Sequence, residues 1–151
     1  FFFPFMGTEG ADLSKDNPTE SASYPYPVLM TYDKQDPAVV YAMTKVMVDA
    51  FDDYKSAAPG NQGWAVDRQN FAWVMPYHEG AIRLWKEKGL WKPNHQAHND
   101  RLIERQKVLA SAWKQVQAAN HADDVAFQKA WMKVRADALT KAGMDPVVTT
   151  W

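Results

Sequence analysis

The histidines are the first residues whose type and spacing could do chemistry. His95 and His98 form H-x-x-H, a spacing at which two imidazoles on a helix can reach one metal ion. The pair follows Pro93, however, in a segment that reads as loop, and no third ligand stands at a useful distance along the chain. His78 precedes Glu79, but the run does not extend to H-E-x-x-H. Surface or helix-capping histidines are therefore expected, and no metal site. The absence of cysteine excludes thiolate ligands, cysteine nucleophiles and disulfides together. No G-x-S-x-G elbow presents a serine, and the seven glycines are scattered rather than gathered into a phosphate loop. The expectation is a protein that is not an enzyme and carries no cofactor.

Aromatic residues offer binding chemistry instead. Tyr24, Tyr26, Tyr32, Trp64 and Trp73 fall in or beside segments that read as loops, where a polar-tipped ring can line a small-ligand cleft. Core or lid packing is the ordinary role of any one of them. Arg68 has the planar fork that pairs with a carboxylate, although an isolated arginine more often makes a surface ion pair.

The elements that must position these residues are mostly helices. With 151 residues and 46% hydrophobic composition the chain can bury a core. A net charge of −1 gives no global field toward nucleic acid or an anionic membrane. No apolar run approaches the ~20 residues needed to cross a bilayer. Phe1, Phe2 and Phe3 are costly to leave in water, and Pro4 keeps them out of a regular helix, so burial is expected there. The chain does not open on methionine and has no signal-peptide pattern at its start, which reads as a fragment or a trimmed chain. Glu9 to Ser23 reads as loop, and Val28 to Tyr32 as a short buried strand after two prolines. Asp36 and Pro37 are a cap and first turn for a helix running to about Ala57, with Val39, Val40, Met43, Val46 and Met47 on one broad face. A short helix is expected around Asp67 to Phe71. From His78 a further helix runs to a stop at Gly89, burying Ala81, Ile82 and Trp85, and Pro93 closes that unit. Beyond Asn99 or Asp100 two helices joined by a polar turn at Asn120 to Asp123 predict an antiparallel hairpin, with Trp113 and Trp131 on its seam.

The wording of two segments adds a family resemblance. SYPYPVLMTYDKQDPAVVYAMTKVMVDAF followed by PYHEGAIRLWKEKGLW resembles the C-terminal portion of the TAXI-type solute-binding proteins of tripartite ATP-independent periplasmic (TRAP) transporters. The matching elements are Tyr26-Pro27, an acidic turn, Val40-Tyr41 and Thr44-Lys45, then His78, Gly80-Ala81-Ile82 and Lys86-Glu87-Lys88-Gly89. The similarity covers about Ser23 to Pro93. It implies a type II periplasmic-binding-protein fold, in which two α/β lobes close on a small solute, here a small organic anion such as a carboxylate. It also implies a periplasmic or otherwise extracytoplasmic location and delivery to TRAP membrane subunits. The parent fold is α/β; this chain itself is expected to be mostly α-helical, with one or two short strands and the C-terminal hairpin. Residues 1–98 are assigned to the solute-binding-protein-like part and 99–151 to the hairpin extension. Tyr24, Tyr26 and Trp64 are the ligand-binding candidates. The alternative is a non-catalytic structural or interaction subunit, with a protein partner at the aromatic N-terminal segment or on the C-terminal helices.

Overall fold

The computed structural model describes residues 2–8 and 10–149 of the chain. Phe1 and Glu9, both covered by the expectations above, lie outside the described residues. The fold is mostly helical. Among the described residues, a two-stranded antiparallel ribbon of β1 (Phe3–Gly7) and β2 (Thr19–Ser23) is followed by five helices: α1 (Pro37–Asp49), α2 (Phe51–Tyr54), α3 (Glu79–Glu87), α4 (Pro93–Gln117) and α5 (Asp124–Lys141). Two 3₁₀ turns, Asn61–Trp64 and Val66–Arg68, lie between α2 and α3. The chain divides into two compact units, Phe1–His95 and Gln96–Trp151.

In the first unit the helix starts and stops follow local chemistry. Asp36 accepts a hydrogen bond from the Ala38 amide at 2.8 Å, with Pro37 in the first turn, as the sequence predicts. The His78 ring accepts from the Gly80 amide at 3.1 Å and so caps α3. At the other end Gly89 adopts φ 70°, and the amides of Gly89 and Leu90 bond back to Lys86 and Trp85 at 3.0 and 2.9 Å. That is a Schellman ending, and its left-handed residue favours glycine.

The core of this unit is α3 against α1. Ala81, Ile82 and Trp85 are buried with Trp91, and Val40, Val48, Val66, Phe71, Tyr77 and Leu90 pack around them. Gly80 sets the approach of the two helices. A Cβ there would lie 2.3 Å from the Pro37 carbonyl oxygen and 2.9 Å from the Tyr41 nitrogen.

Several expectations are overturned. Phe2 and Phe3 are exposed rather than buried, in a ribbon whose side chains face water along nearly its whole length. Part of the expected loop pairs as β2, with Phe3 opposite Ser23 and Gly7 opposite Thr19. Val28 to Tyr32 forms no strand, and Val28, Leu29, Met30 and Tyr32 are exposed. An apolar run supplies side chains for a sheet, but here no partner strand accepts its backbone. The long helix breaks at Ala50, and of its broad apolar face Val39, Met43 and Val46 point to solvent. The short helix near Asp67 is a 3₁₀ turn of three residues. Pro93 lies near the end of the first unit and also opens α4, because proline fits a helix's first turn, where its missing N–H costs nothing.

In the second unit Asp123 caps α5 through the Ala126 amide at 2.7 Å. Trp113 meets Trp131 edge to face at 5.0 Å and Phe127 at 5.4 Å, the seam anticipated from spacing. Ala112, Val116, Met132 and Leu139 are buried beside it, Leu139 completely. A second Schellman ending closes α5, with Gly143 at φ 68° and the Met144 amide bonding to Leu139 at 2.8 Å.

Candidate functional site

Loop geometry brings two of the three ligand-binding candidates, Tyr24 and Tyr26, together on the first unit. β2 ends at Ser23, so Tyr24 leaves the ribbon directly, and its ring stands edge-on to Phe2 at 5.8 Å and to Tyr26 at 6.4 Å. Tyr24 and Tyr26 are 50% and 75% exposed, which leaves much of each ring in contact with water. The Tyr26–Pro27 peptide bond is cis. Trp64 makes no ring contact with Tyr24 or Tyr26 among the described residues; the chain beside it does approach Tyr26. Gly63 packs so closely that a Cβ would lie 2.9 Å from the Tyr26 carbonyl oxygen and 3.3 Å from Pro27 Cδ. Trp64 itself is half-buried at the end of a 3₁₀ turn that opens on Gly60 at φ 87°.

The surface so formed is an aromatic platform. Rings of this kind stack on flat apolar or conjugated groups and offer hydroxyls at their edge. Arg68 is exposed four residues after Trp64 and makes no salt bridge among the described residues, so its guanidinium is open to an anion. Tyr32 is 85% exposed, and nothing among the described residues joins it to this surface. Trp73 is half-buried further along the loop. Sequence reasoning did not anticipate Phe2 in the platform or Gly63 beneath it. The only local signal for Gly63 was its place in the Pro59-Gly60 and Gln62-Gly63 break.

A second cluster is internal. Phe71 contacts Tyr77, Trp85, Trp91 and His95 with ring centroids between 5.1 and 5.8 Å. Burial pushes the Tyr77 phenol up to about 12, and its hydroxyl donates to the Asn70 carbonyl at 3.1 Å. The Trp85 indole N–H is buried without a hydrogen-bond partner among the described residues; its ring stands edge-on to Phe71 at 5.4 Å. These ring contacts pack α3.

Three of the four histidines, His78, His95 and His121, make structural contacts. The Lys92 amide donates to His95 Nδ1 at 3.2 Å, and His95 lies in the first turn of α4 against Phe71 and Trp91. His98 is in the same helix rather than in a loop. His121 Nε2 bonds to the Val116 carbonyl at 2.8 Å. No group of three metal-ligating side chains comes together among the described residues.

Polar contacts outside the platform tie α1 to α3. The Tyr41 hydroxyl donates to Glu87 Oε2 at 2.7 Å, Arg83 donates to Glu87 Oε1 at 3.1 Å, and the Arg83 guanidinium lies 4.5 Å over the Tyr41 ring. The hydrogen bond from Tyr41, then those of Arg83, hold the Glu87 carboxyl below its ordinary range. The same bond raises the Tyr41 phenol.

Comparison with known sequences places the chain in a family. The sequence profile of the NMT1-like family matches residues 2–89, more than half of the chain. The chain belongs to this family, which is related to the periplasmic solute-binding proteins. No curated protein and no solved structure matches it.

Proposed function

We propose that the chain serves an extracytoplasmic solute receptor of the TRAP type, in the TAXI branch. It binds a small organic anion and hands it to the transporter's membrane subunits, without covalent chemistry or cofactor. Membership of the NMT1-like family over residues 2–89 is the observation that carries this reading. The motif order from Tyr26-Pro27 to Lys88-Gly89 supports the TAXI branch. Tyr24, Tyr26 and Trp64 would flank the solute, and Arg68 would meet its carboxylate.

Thermal unfolding in the presence of aliphatic and aromatic carboxylates tests the proposal. A ligand at a hundred times its Kd stabilises the folded state by about 2.7 kcal/mol, enough to move the transition by several degrees. The expected result is a shift for at least one carboxylate, lost in Tyr26→Ala and in Arg68→Ala. No shift with any carboxylate at millimolar concentration would reject solute binding by this chain.

A second reading is a non-catalytic interaction subunit derived from such a receptor. It is favoured by the end of the family match at residue 89, before the helices α4 and α5.

A further inference from the structure

The stretch from Val28 to Tyr32 has the composition of a strand and no strand beside it among the described residues. It runs without a turn or bend between the bend at Pro27 and the turn that begins at Asp33. In that turn the Gln35 amide donates to the Tyr32 carbonyl at 3.1 Å. The backbone N–H and C=O groups of Val28, Leu29, Met30 and Thr31 make no hydrogen bond among the described residues. All these residues are exposed, Leu29 at 53% and Met30 at 67%, so the free backbone groups are left to water.

Hydrogen bonding decides what fits there. A row of alternating donors and acceptors is met in full by another extended backbone and not by a small solute. In an extended chain the groups of Leu29 and Thr31 face one edge, and those of Val28, Met30 and Tyr32 the other. The Tyr32 carbonyl already serves the turn, so the Leu29 and Thr31 edge is the one wholly free. Two copies of this edge complement each other when they run antiparallel with Met30 opposite Met30. Leu29 then exchanges both N–H···O bonds with Thr31 of the second copy, and Thr31 does so with Leu29. Val28 lies across from Tyr32, a β-branched residue against an aromatic ring. The next hydrogen-bonding position would pair Pro27, which has no N–H, with Asp33 in the turn, and the ladder stops there. Residues 28–32 carry no charge, and Asp33 and Lys34 of each copy fall beyond Val28 of the other, so like charges do not meet.

We propose that the chain pairs with a second copy of itself through an antiparallel ladder of residues 28–32, about a two-fold axis at Met30. So short a pairing is small beside the ~800 Å² per partner of a standard interface, so the dimer forms as concentration rises and is not permanent. The proposal does not rest on solute binding. Association is read without any ligand, whereas the solute test reads stabilisation by a carboxylate, so either can fail alone.

Sedimentation of the full chain over a range of concentrations tests it, with single cysteines as a probe of register. The chain has no cysteine of its own. Met30→Cys sets two thiols opposite each other at a non-hydrogen-bonded pair, with Cα atoms about 4.5 Å apart, and mild oxidation should cross-link the copies. Leu29→Cys alone lies two residues out of step with its own counterpart, beyond disulfide reach, and so does Thr31→Cys; the two variants mixed should cross-link to each other. Leu29→Pro removes a ladder N–H, and Met30→Lys sets two ammonium groups face to face, so each should weaken association about tenfold. Both positions are exposed, so the variants keep their fold, which circular dichroism verifies. A chain that stays monomeric at millimolar concentration would overturn the proposal and leave the segment to a strand of another protein. Cross-linking of Leu29→Cys alone as readily as Met30→Cys would overturn it too. So would a dimer that survives Leu29→Pro and Met30→Lys but is lost in Met43→Lys/Val46→Lys, which would put the contact on α1.

Discussion

Two residues decide how the first unit holds together. Gly80 lets α3 approach α1, and Gly80→Ala tests whether that approach is needed. Alanine is the better helix former by about 1 kcal/mol. Its methyl, however, would sit 2.3 Å from the Pro37 carbonyl oxygen, against backbone that cannot rotate away. Overpacking costs about 1–3 kcal/mol, and a clash this close with backbone belongs at the upper end, so a net loss of roughly 2 kcal/mol is expected in urea unfolding. A variant as stable as the parent would mean that the helices separate freely. Glu87 is the second residue, and here pH is the probe. Its folded-state pKa is depressed, first by the bond from Tyr41 and then by Arg83. Stability from such a group is complete above its unfolded value and is lost as pH falls through the lower folded one. Tyr41→Phe removes the larger cause. The Glu87 carboxyl, followed by NMR titration, should move up toward its ordinary 4.5, and the stability difference from the parent should close in acid. An unmoved Glu87 midpoint would show that Arg83 alone sets it.

At the scale of elements, the hairpin offers the clearest test. Leu139 is completely buried, and Leu139→Ala should cost about 2–5 kcal/mol through lost transfer energy and the cavity left behind. Trp113→Ala should cost less than full burial would give, because that ring is 38% exposed although it contacts both Trp131 and Phe127. Helical circular dichroism during urea unfolding reads both, and the reverse order would contradict the packing described. Elements like these were legible in the sequence because their signals are local. Asp36-Pro37, His78 and Gly89 mark starts and stops within a turn of where they act, and Trp113 and Trp131 stand at helical spacing. The ribbon was not legible. Its strands are separated by the stretch from Thr8 to Pro18, and although β1 lies in the apolar run that begins the sequence, β2 is polar and exposed, so no alternation announced their pairing. Val28 to Tyr32 failed in the opposite sense, since composition alone cannot provide a neighbouring strand. The platform was half legible. Tyr24, Tyr26 and Trp64 stood out as loop aromatics, but the contact of Gly63 with Tyr26 depends on a fold that spacing does not encode.

At the scale of the molecule, the first unit shows more apolar surface than its core requires. Val39, Met43 and Val46 are each more than half exposed, at steps of four and three residues along α1, while Val40 and Val48 on its other side meet the α3 core. A helix that is apolar on two sides ordinarily lies between two layers. Here the second side faces water, and exposed apolar stripes bind environment-sensitive hydrophobic dyes. The folded chain should therefore enhance the fluorescence of such a dye without denaturant, and Met43→Lys/Val46→Lys should remove about half of that signal. Because both positions are solvent-facing, unfolding free energy should change by no more than about 0.5 kcal/mol per site. The ammonium that Val46→Lys introduces would gain Asp49 as a neighbour one helical turn on, which offsets part of any loss. The two readouts together separate surface from core. Lower dye binding at unchanged stability is what an outward stripe requires, whereas a large loss of stability would mean that Met43 and Val46 are packed inside the first unit.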